Sequence, residues 1–261
     1  MRFSGIKQIL QKNLPKPLNE LLLMLKYQIK KIPDYDIYLS HLSNKKGIEI
    51  GGPSPLFKIT LPVYKVVASL DSVNFSNNTV WEGAIQTGQS FNYFKNKNGF
   101  QFISEATNLD QIKSKTYDFL LSSNCLEHIA NPLKALEDWK RVLKDDGFIL
   151  LVLPNKESNF DHKRPVTVFE HLLDDCNNKV TEHDLTHLDE ILTLIDLSMV
   201  SPAETLEEFK FRSLDNFNNR MLHHHIFDIP LIKKILEHSN FEVITTCTTK
   251  TDLYALAKLN K

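Results

Sequence analysis

The stretch YDFLLSSNCLEHI, residues 117–129, decides the fold of this chain. Its first six residues form a short apolar run that ends in serine, which is typical of a buried strand. Residues 132–144 then carry apolar side chains at helical spacing and lead into Asp145-Asp146-Gly147, a good C-terminal stop for a helix. We therefore predict a strand, a crossover helix and a second strand at 148–153, which together form one unit of a parallel sheet.

The same rhythm of short apolar runs continues on both sides of this unit. The further predicted elements are three strands before it and a helix and two strands near the C-terminus: 47–50, 65–69, 100–104, 231–238, 241–246 and 253–259. The last two strands are expected to form an antiparallel hairpin. This pattern predicts an α/β fold with a mostly parallel sheet.

Two segments interrupt the rhythm. Residues 1–44 carry apolar side chains at helical spacing between Leu18 and Ile32, and they are predicted to be an N-terminal helical extension. Residues 155–227 are polar, contain most of the histidines and are too long for an ordinary crossover. We therefore predict a main domain over residues 45–261, with a helical and looped cap inserted at 155–227 after the fifth strand.

The composition argues against several classes of protein. Hydrophobic residues make up 42% and charged residues 24%, which is globular composition, and the net charge of -1 argues against a nucleic-acid partner. The three cysteines have neither a disulfide pattern nor metal-ligand spacing, which favours a cytoplasmic location. No apolar run approaches the roughly 20 residues of a transmembrane helix, but the basic face of the N-terminal helix leaves a weak membrane-surface contact open. The sequence does not indicate an oligomeric state.

The first predicted strand ends in a glycine turn. In the sequence Gly47-Ile48-Glu49-Ile50-Gly51-Gly52-Pro53, an acid and two glycines close the strand, so the backbone can turn sharply and pass close to a ligand. Asp71 follows about twenty residues later, at the predicted end of the next strand, where a carboxylate can accept hydrogen bonds from both ribose hydroxyls. The spacing favours a nucleoside site, although a plain turn and an N-cap explain the same residues.

The order of the motifs is more specific than any one of them. Residues 117–129 are followed by Asn131-Pro132 and then by WKRVLKDDG at 139–147. This series resembles the strand-four to strand-five region of class I S-adenosylmethionine-dependent methyltransferases. The resemblance covers about residues 45–155 and the C-terminal hairpin. It implies a Rossmann-like, seven-stranded sheet with S-adenosylmethionine as the cofactor across the carboxyl ends of strands one to four.

The resemblance also implies a set of cofactor-binding residues. They are Glu49, Gly51 and Gly52 at the methionine part, Asp71 at the ribose, Glu105 and Ala106 beside the adenine, and Ser123, Asn124, Leu126 and His128 after strand four. The chain departs from the family pattern at Pro53 and Pro55, where glycines are usual, and at Glu105, where aspartate is more common. Because prolines remove backbone donors and stiffen the loop, these departures put the strength of cofactor binding in question.

A second resemblance concerns the start of the insertion. Residues 153–156, 160–167 and 170–173 resemble a subgroup of these enzymes that is associated with bacterial glycan and surface-polysaccharide gene sets. We therefore expect O-methylation of a sugar, a glycan or another small hydroxylated acceptor. A hydroxyl acceptor requires a base, and an imidazole suits that task near neutral pH. The candidate bases are, in order, His162, His171 and His225, with Arg164 placed to neutralise an acidic or phosphorylated acceptor.

The remaining histidines have competing interpretations. His183 and His187 have the i, i+4 spacing of a zinc-protease helix, but the glutamate expected between them is absent and leucines already form a core stripe there, so no metal is predicted. The run His223-His224-His225 is compatible with a metal, a substrate-binding wall or a polar stretch, and we assign His223 and His224 to the substrate.

Two alternative functions stay open at this point. One is a cofactor-binding module that is catalytically inactive and acts through partners. The other is a nicotinamide-dependent oxidoreductase, which needs a Gly-x-Gly-x-x-Gly turn where this chain has Gly51-Gly52 followed by prolines.

Overall fold

The computed structural model describes residues 32–200 and 203–261, and its centre is a single eight-stranded sheet. The strands of this sheet are β1 Lys46–Ile50, β2 Ser69–Asn74, β5 Gly88–Phe94, β6 Lys97–Ile103, β7 Tyr117–Ser123, β8 Leu143–Pro154, β9 Phe241–Thr248 and β10 Asp252–Leu259. They are ordered β5-β6-β2-β1-β7-β8-β10-β9. A separate small hairpin joins β3 Asn78–Thr79 to β4 Gly83–Ala84.

The middle of the sheet is parallel. β1 pairs in parallel with β2 and with β7, and β2–β6 and β7–β8 are also parallel pairs. β10 runs antiparallel to both β8 and β9, which confirms the predicted C-terminal hairpin. The seven strands implied by the family resemblance are present. An eighth, β5, adds antiparallel to β6 at the edge and was not predicted.

Helices and short turns cover both faces of the sheet. The helices are α1 Tyr35–Leu42, α2 Val63–Val66, α3 Pro132–Val142, α4 Phe169–Asn177, α5 Leu188–Leu194, α6 Leu206–Leu214, α7 Asn216–Asn219 and α8 Ile229–His238. Because successive strand residues face opposite sides, Leu120 of β7 packs with α3 and α8 on one face, whereas Phe119 and Leu121 pack with α1 and α2 on the other. Each core contains a large, fully buried aromatic side chain: Trp139 on the first face and Tyr64 on the second.

The predicted strand at 65–69 is wrong. Val66 ends helix α2, and the strand begins only at Ser69 and runs to Asn74. The apolar run at 66–68 suggested a strand, but Val67 instead packs in the core beneath α2. β2 therefore ends about five residues later than predicted. The residue at its carboxyl end is Asn74.

The described part of the insertion, residues 155–200 and 203–227, contains a small core of its own. Leu188, Ile191, Phe209 and Leu222 are buried together there, away from the two cores of the sheet. Helix α5 lies within the segment that was predicted to be a helical and looped cap. The N-terminal helix was predicted from the apolar pattern between Leu18 and Ile32. All of this pattern except Ile32 lies in residues 1–31, which are outside the described residues. Within 32–200 and 203–261, no helix combines the length and apolar character needed to cross a membrane.

Candidate active site

A cavity of about 590 Å³ lies at the carboxyl ends of four neighbouring parallel strands. Gly51 after β1, Asn74 at the end of β2, Glu105 after β6 and Asn124 after β7 all border it. In open α/β sheets the crevice outside the carboxyl ends of the strands is the usual ligand site. The opposite wall belongs to the insertion, which contributes Phe160, Glu182, Val200, Arg212, Arg220, Met221 and His223.

The glycine turn after β1 is shaped by close contacts. Gly51 has φ of +81°, and a Cβ there would lie 3.3 Å from Sγ of Cys125. A Cβ on Gly52 would lie 2.5 Å from the carboxylate of Glu49. The peptide bond between Gly52 and Pro53 is cis. The positive φ therefore favours glycine at 51, the close approach of Glu49 favours it at 52, and the backbone of Gly51 forms part of the cavity wall.

Glu49 organises this turn from below and does not border the cavity. Its carboxylate accepts hydrogen bonds from the Tyr64 hydroxyl at 2.5 Å and from the Ser54 amide at 3.2 Å. Burial raises the pKa of Glu49 to about 8, although both hydrogen bonds act in the opposite direction. Glu49 therefore holds the loop containing Pro53 and Pro55 in place, and its proton is part of the native structure near neutral pH.

Asn74 is the polar residue at the carboxyl end of β2. It is buried, its Nδ2 donates to the Gly52 carbonyl at 2.8 Å, and its Oδ1 accepts from Nε1 of Trp81 at 3.3 Å. The side chain thus connects the glycine turn of β1 to the loop after β2. The sequence analysis missed Asn74 because it ended this strand too early.

Asp71 does not lie where the sequence analysis placed it. It is the third residue of β2, and it borders a separate cavity together with Lys46 and Tyr117. Its carboxylate accepts hydrogen bonds from the Phe100 amide and the Tyr117 hydroxyl, both at 2.8 Å. The prediction that Asp71 lies at the carboxyl end of its strand, beside the glycine turn, is therefore wrong.

A charged bridge connects the end of β6 to the insertion. Arg220 donates to Glu105 at 2.7 Å and lies 3.3 Å from the carboxylate of Glu182, and all three residues border the cavity. The Arg220 guanidinium also lies over the ring of Phe75 at 4.8 Å. Burial raises the pKa of Glu182 to about 7 against the opposing charge of Arg220. Glu105 is thus oriented by a side chain from the insertion.

His223 and Asp161 form a hydrogen-bonded pair at the insertion side of the cavity. Nδ1 of His223 lies 2.6 Å from a carboxylate oxygen of Asp161, and because a carboxylate only accepts, Nδ1 carries the proton. Burial alone would raise the pKa of Asp161. The hydrogen bond and charge of His223 lower this pKa, the nearby charge of Arg164 lowers it further, and the result is a pKa below the usual value. His223 borders the cavity, while Asp161 is fully buried behind it.

A second imidazole meets His223 at the cavity. The ring of His128 packs edge-on against that of His223 with centroids 4.5 Å apart, and its Nδ1 donates to the Leu222 carbonyl at 3.1 Å. Burial, followed by the neighbouring His223, lowers the pKa of His128 well below its usual value. His128 is therefore held neutral.

Arg164 is not free to bind a substrate. It is 1% exposed, and its guanidinium donates to the carboxylates of Glu190 and Asp161 and to the carbonyls of His223 and His224. Four hydrogen bonds from a group with five N–H donors leave little to offer a ligand. The predicted role of Arg164 at an acidic acceptor is therefore wrong; it holds the residue 223–224 backbone and Asp161 together.

Comparison with known proteins places the chain in a family. Residues 24–246 match the family described as a methyltransferase domain. The chain belongs to this family. A S-adenosylmethionine-dependent methyltransferase from Mesorhizobium loti is similar in structure, with 10% identity, 87% of this chain and 96% of that chain covered, and a TM-score of 0.50.

Two further proteins are similar over different extents. The 1,6-didemethyltoxoflavin-N1-methyltransferase of Burkholderia thailandensis, solved with 1,6-didemethyltoxoflavin and S-adenosylhomocysteine, has 11% identity, 88% and 77% coverage of the two chains and a TM-score of 0.48. An uncharacterized protein of Methanocaldococcus jannaschii is 46% identical over 46 residues, which are 18% of this chain and 20% of that protein. The chain thus matches only about a fifth of the length of this curated relative.

The class I S-adenosylmethionine-dependent methyltransferase fold predicted from residues 117–147 is confirmed. The predicted cofactor is confirmed at the level of this family. In the methyltransferase, six of the ten residues implied to bind the cofactor border the cavity: Gly51, Glu105, Ala106, Ser123, Asn124 and His128. Glu49 and Gly52 do not border this cavity, Leu126 is in the core and Asp71 borders the other cavity.

The three histidines predicted as bases lie outside the cavity of the methyltransferase. His162 is half-buried and its Nε2 lies 2.9 Å from Asp196. His171 and His225 lie in another cluster, in which His225 donates to the Ala130 carbonyl at 3.2 Å. His224 is buried against Asn216 at 3.1 Å. Of the histidines that the sequence analysis assigned to base or substrate roles, only His223 borders the cavity.

Proposed function

We propose that this cavity binds S-adenosylmethionine and that the protein transfers the methyl group to a hydroxyl of a small acceptor. The observation that carries the proposal is the Asp161–His223 pair, whose imidazole borders the same cavity as the carboxyl ends of β1, β2, β6 and β7. A base and a nucleoside-type site then share one cavity, which is the arrangement that methyl transfer to oxygen requires.

The residues at the strand ends fit the proposed cofactor. The Gly51 backbone forms a wall that no side chain could replace, and Asn74 and Glu105 present polar groups at the ends of β2 and β6. Ser123 and Asn124 continue this polar rim after β7. When bound, the cofactor supplies an activated methyl group on a sulfonium. The protein's own task is to align the acceptor, exclude water and remove a proton.

His223 is the residue best suited to remove that proton. Its Nδ1 proton is engaged by Asp161, so Nε2 is the ring nitrogen left to accept. The buried Asp161 carboxylate stabilises the imidazolium that forms, as the acid of a catalytic dyad does. His128 is a weaker base because burial holds its pKa low, and we assign it to orienting His223 through the ring contact.

The cavity favours a small acceptor. A volume of about 590 Å³ is within the usual range for a single small-ligand site, about 300–1,000 Å³, and the cofactor takes part of it. Aromatic side chains border it at Phe75, Trp81 and Phe160, and an apolar wall continues at Val200 and Met221. A sugar ring combines hydroxyls with apolar faces, so we keep a sugar as the first acceptor class to test. The link to glycan gene sets and the cytoplasmic location remain predictions.

Methyl transfer from labelled S-adenosylmethionine to a panel of sugar nucleotides, oligosaccharides and hydroxylated aromatic compounds tests the proposal. With the best acceptor, His223→Gln is expected to lower kcat by about 10²- to 10⁴-fold, the usual contribution of a general base. Its affinity for S-adenosylhomocysteine, measured by calorimetry, should stay within about threefold of wild type. The matched control is His162→Gln, because His162 is half-buried and paired with a carboxylate but lies outside the cavity.

Two results would contradict the proposal separately. Unchanged turnover in His223→Gln would remove the base assignment but leave the cofactor site intact. Absence of heat with S-adenosylmethionine and S-adenosylhomocysteine would remove the cofactor site itself. The family match does not favour the inactive module or the nicotinamide oxidoreductase, and calorimetry with NAD provides the direct comparison for the second.

A further inference from the structure

Four side chains from three separate segments converge outside the cavity. They are His171, Asp175, His187 and His225, and we call them the His3Asp cluster. One ligand atom from each lies within 4.8 Å of every other. His171 and Asp175 are one turn apart on α4, His187 immediately precedes α5, and His225 belongs to the extended segment before α8.

The distances within the cluster match a tetrahedral metal site. Nε2 of His171 lies 2.9 Å from Nε2 of His187 and 3.3 Å from Oδ2 of Asp175, and Nε2 of His225 lies 3.6 Å from the same oxygen. Zinc bonds of about 2.0–2.1 Å to imidazole nitrogen and carboxylate oxygen place tetrahedral ligands about 3.3–3.4 Å apart. The two distances from His171 lie close to this value, and the His225 ring is near enough to complete the set, so one ion fits with small movements of the side chains.

The polar atoms of the cluster are not satisfied by the protein alone. Oδ2 of Asp175 is buried and accepts no hydrogen bond from the described residues, although three imidazoles surround it. Nδ1 of His225 is also buried without a partner among the described residues, and because Nε2 donates to the Ala130 carbonyl, Nδ1 is the ring nitrogen left to bind a cation. A buried carboxylate oxygen without a donor is costly, and a cation is the partner that fits a carboxylate and three ring nitrogens together.

We infer that the methyltransferase binds one Zn²⁺ through His171, Asp175, His187 and His225. Imidazole and carboxylate ligands in a tetrahedral set of four suit this ion, and four protein ligands are typical of a structural site. The site differs from the pair His183 and His187 considered in the sequence analysis, since the His183 ring stacks on Phe217 at 3.9 Å. It also departs from the expectation of no metal, which rested on spacing along the chain alone.

The ion connects parts of the insertion that would otherwise meet only through side-chain contacts. It joins α4, the turn before α5 and the segment that contains His223. The Ala130 carbonyl next to α3 lies 3.2 Å from Nε2 of His225, so the site adjoins the loop after β7 as well. Its existence does not depend on the proposed reaction, because none of the four ligands borders the cavity.

The test is metal analysis of the full-length protein without a histidine tag. We expect about one zinc per chain after purification, or after Zn²⁺ is added to chelator-treated protein and the excess is removed. Substitution with Co²⁺ should give the intense visible bands of a tetrahedral centre. Chelation should lower the melting temperature of the wild-type protein.

Variants locate the ion. Loss of a residue that only hydrogen-bonds to a metal ligand weakens metal binding by about 10- to 100-fold. Because His187 and Asp175 are ligands themselves, His187→Gln and Asp175→Asn should weaken zinc binding by more than this. His183→Gln, the neighbouring histidine outside the cluster, should bind zinc as the wild type does. Wild-type protein that takes up no Zn²⁺, a Co²⁺ spectrum without tetrahedral bands, or unchanged zinc affinity in folded His187→Gln would each overturn the inference.

Discussion

Replacing Glu49 by glutamine should make the protein less sensitive to rising pH. The carboxyl is buried beneath the glycine turn, where the Tyr64 hydroxyl and the Ser54 amide both donate to it. Glutamine has nearly the same shape: its oxygen can accept from the Ser54 amide and its NH2 group can donate to the Tyr64 oxygen, but it carries no ionisable proton. The substitution therefore isolates the cost of ionising this one group.

The direction follows from the two pKa values. Glu49 keeps its proton up to about pH 8 in the native state, whereas its ordinary pKa is 4.5. The native state binds one more proton than the unfolded chain between these values, so the free energy of unfolding of the wild-type protein falls as the pH rises through this window. The contribution is complete below pH 4.5 and is lost by about pH 8. At 1.36 kcal/mol per pKa unit, the upper limit is about 5 kcal/mol.

Urea unfolding at pH 5, 6, 7 and 8 measures the effect as a difference between variant and wild type. At each increase in pH, the free energy of unfolding of Glu49→Gln should rise relative to that of the wild type. Between pH 5 and pH 8 we expect the total difference to be at least about 2 kcal/mol and at most about 5 kcal/mol. Other buried carboxyls, such as Glu182, titrate equally in both proteins and cancel. The matched control is Glu137→Gln at an exposed helix position, which should run parallel to the wild type. Parallel curves for Glu49→Gln as well would refute the reasoning.

Three further substitutions test contacts described above. Arg164→Met should destabilise the protein by about 3–5 kcal/mol, seen as a lower urea midpoint, because the buried carboxylate of Asp161 loses its guanidinium partner; an unchanged midpoint would contradict this. Gly52→Ala should weaken S-adenosylhomocysteine binding in calorimetry, since the new Cβ collides with Glu49 and shifts the turn, and wild-type affinity would show that the turn adapts. Asn74→Ala should lower the free energy of unfolding by about 1–3 kcal/mol in urea, because the Gly52 carbonyl loses its buried donor, and an unchanged urea midpoint would contradict this.

The fold was largely predictable because its central strands are simple apolar runs. β7 and β8 contain five or more consecutive apolar or small residues, and helix α3 has a clear apolar stripe, although it ends at Val142 and the predicted stop Asp145-Asp146-Gly147 lies within β8. β2 was misplaced because its own sequence, SLDSVN, alternates with polar residues, while the apolar run before it belongs to α2 and the core. β5 was missed although Phe91 and Tyr93 alternate inward, as expected for an edge strand.

The site was predictable only where it depends on strand ends. Gly51 and Asn124 follow their strands directly, so locating the strand locates the residue. The pairs that complete the site join positions far apart in the chain, and no local pattern links them. Asp161 and His223 are 62 residues apart, and Arg220 reaches Glu105 across 115 residues. Arg164 appeared available in the sequence because its burial depends on the same long-range packing.

The three consecutive imidazoles at 223–225 each face a different neighbour. His223 meets Asp161, His224 meets Asn216, and His225 meets the Ala130 carbonyl and the His3Asp cluster. A stretch of this kind tolerates one altered side chain better than altered spacing, because removing a single residue would turn every following ring toward the wrong partner. The length of this segment, more than any one of its side chains, therefore sets the alignment between the insertion and the sheet.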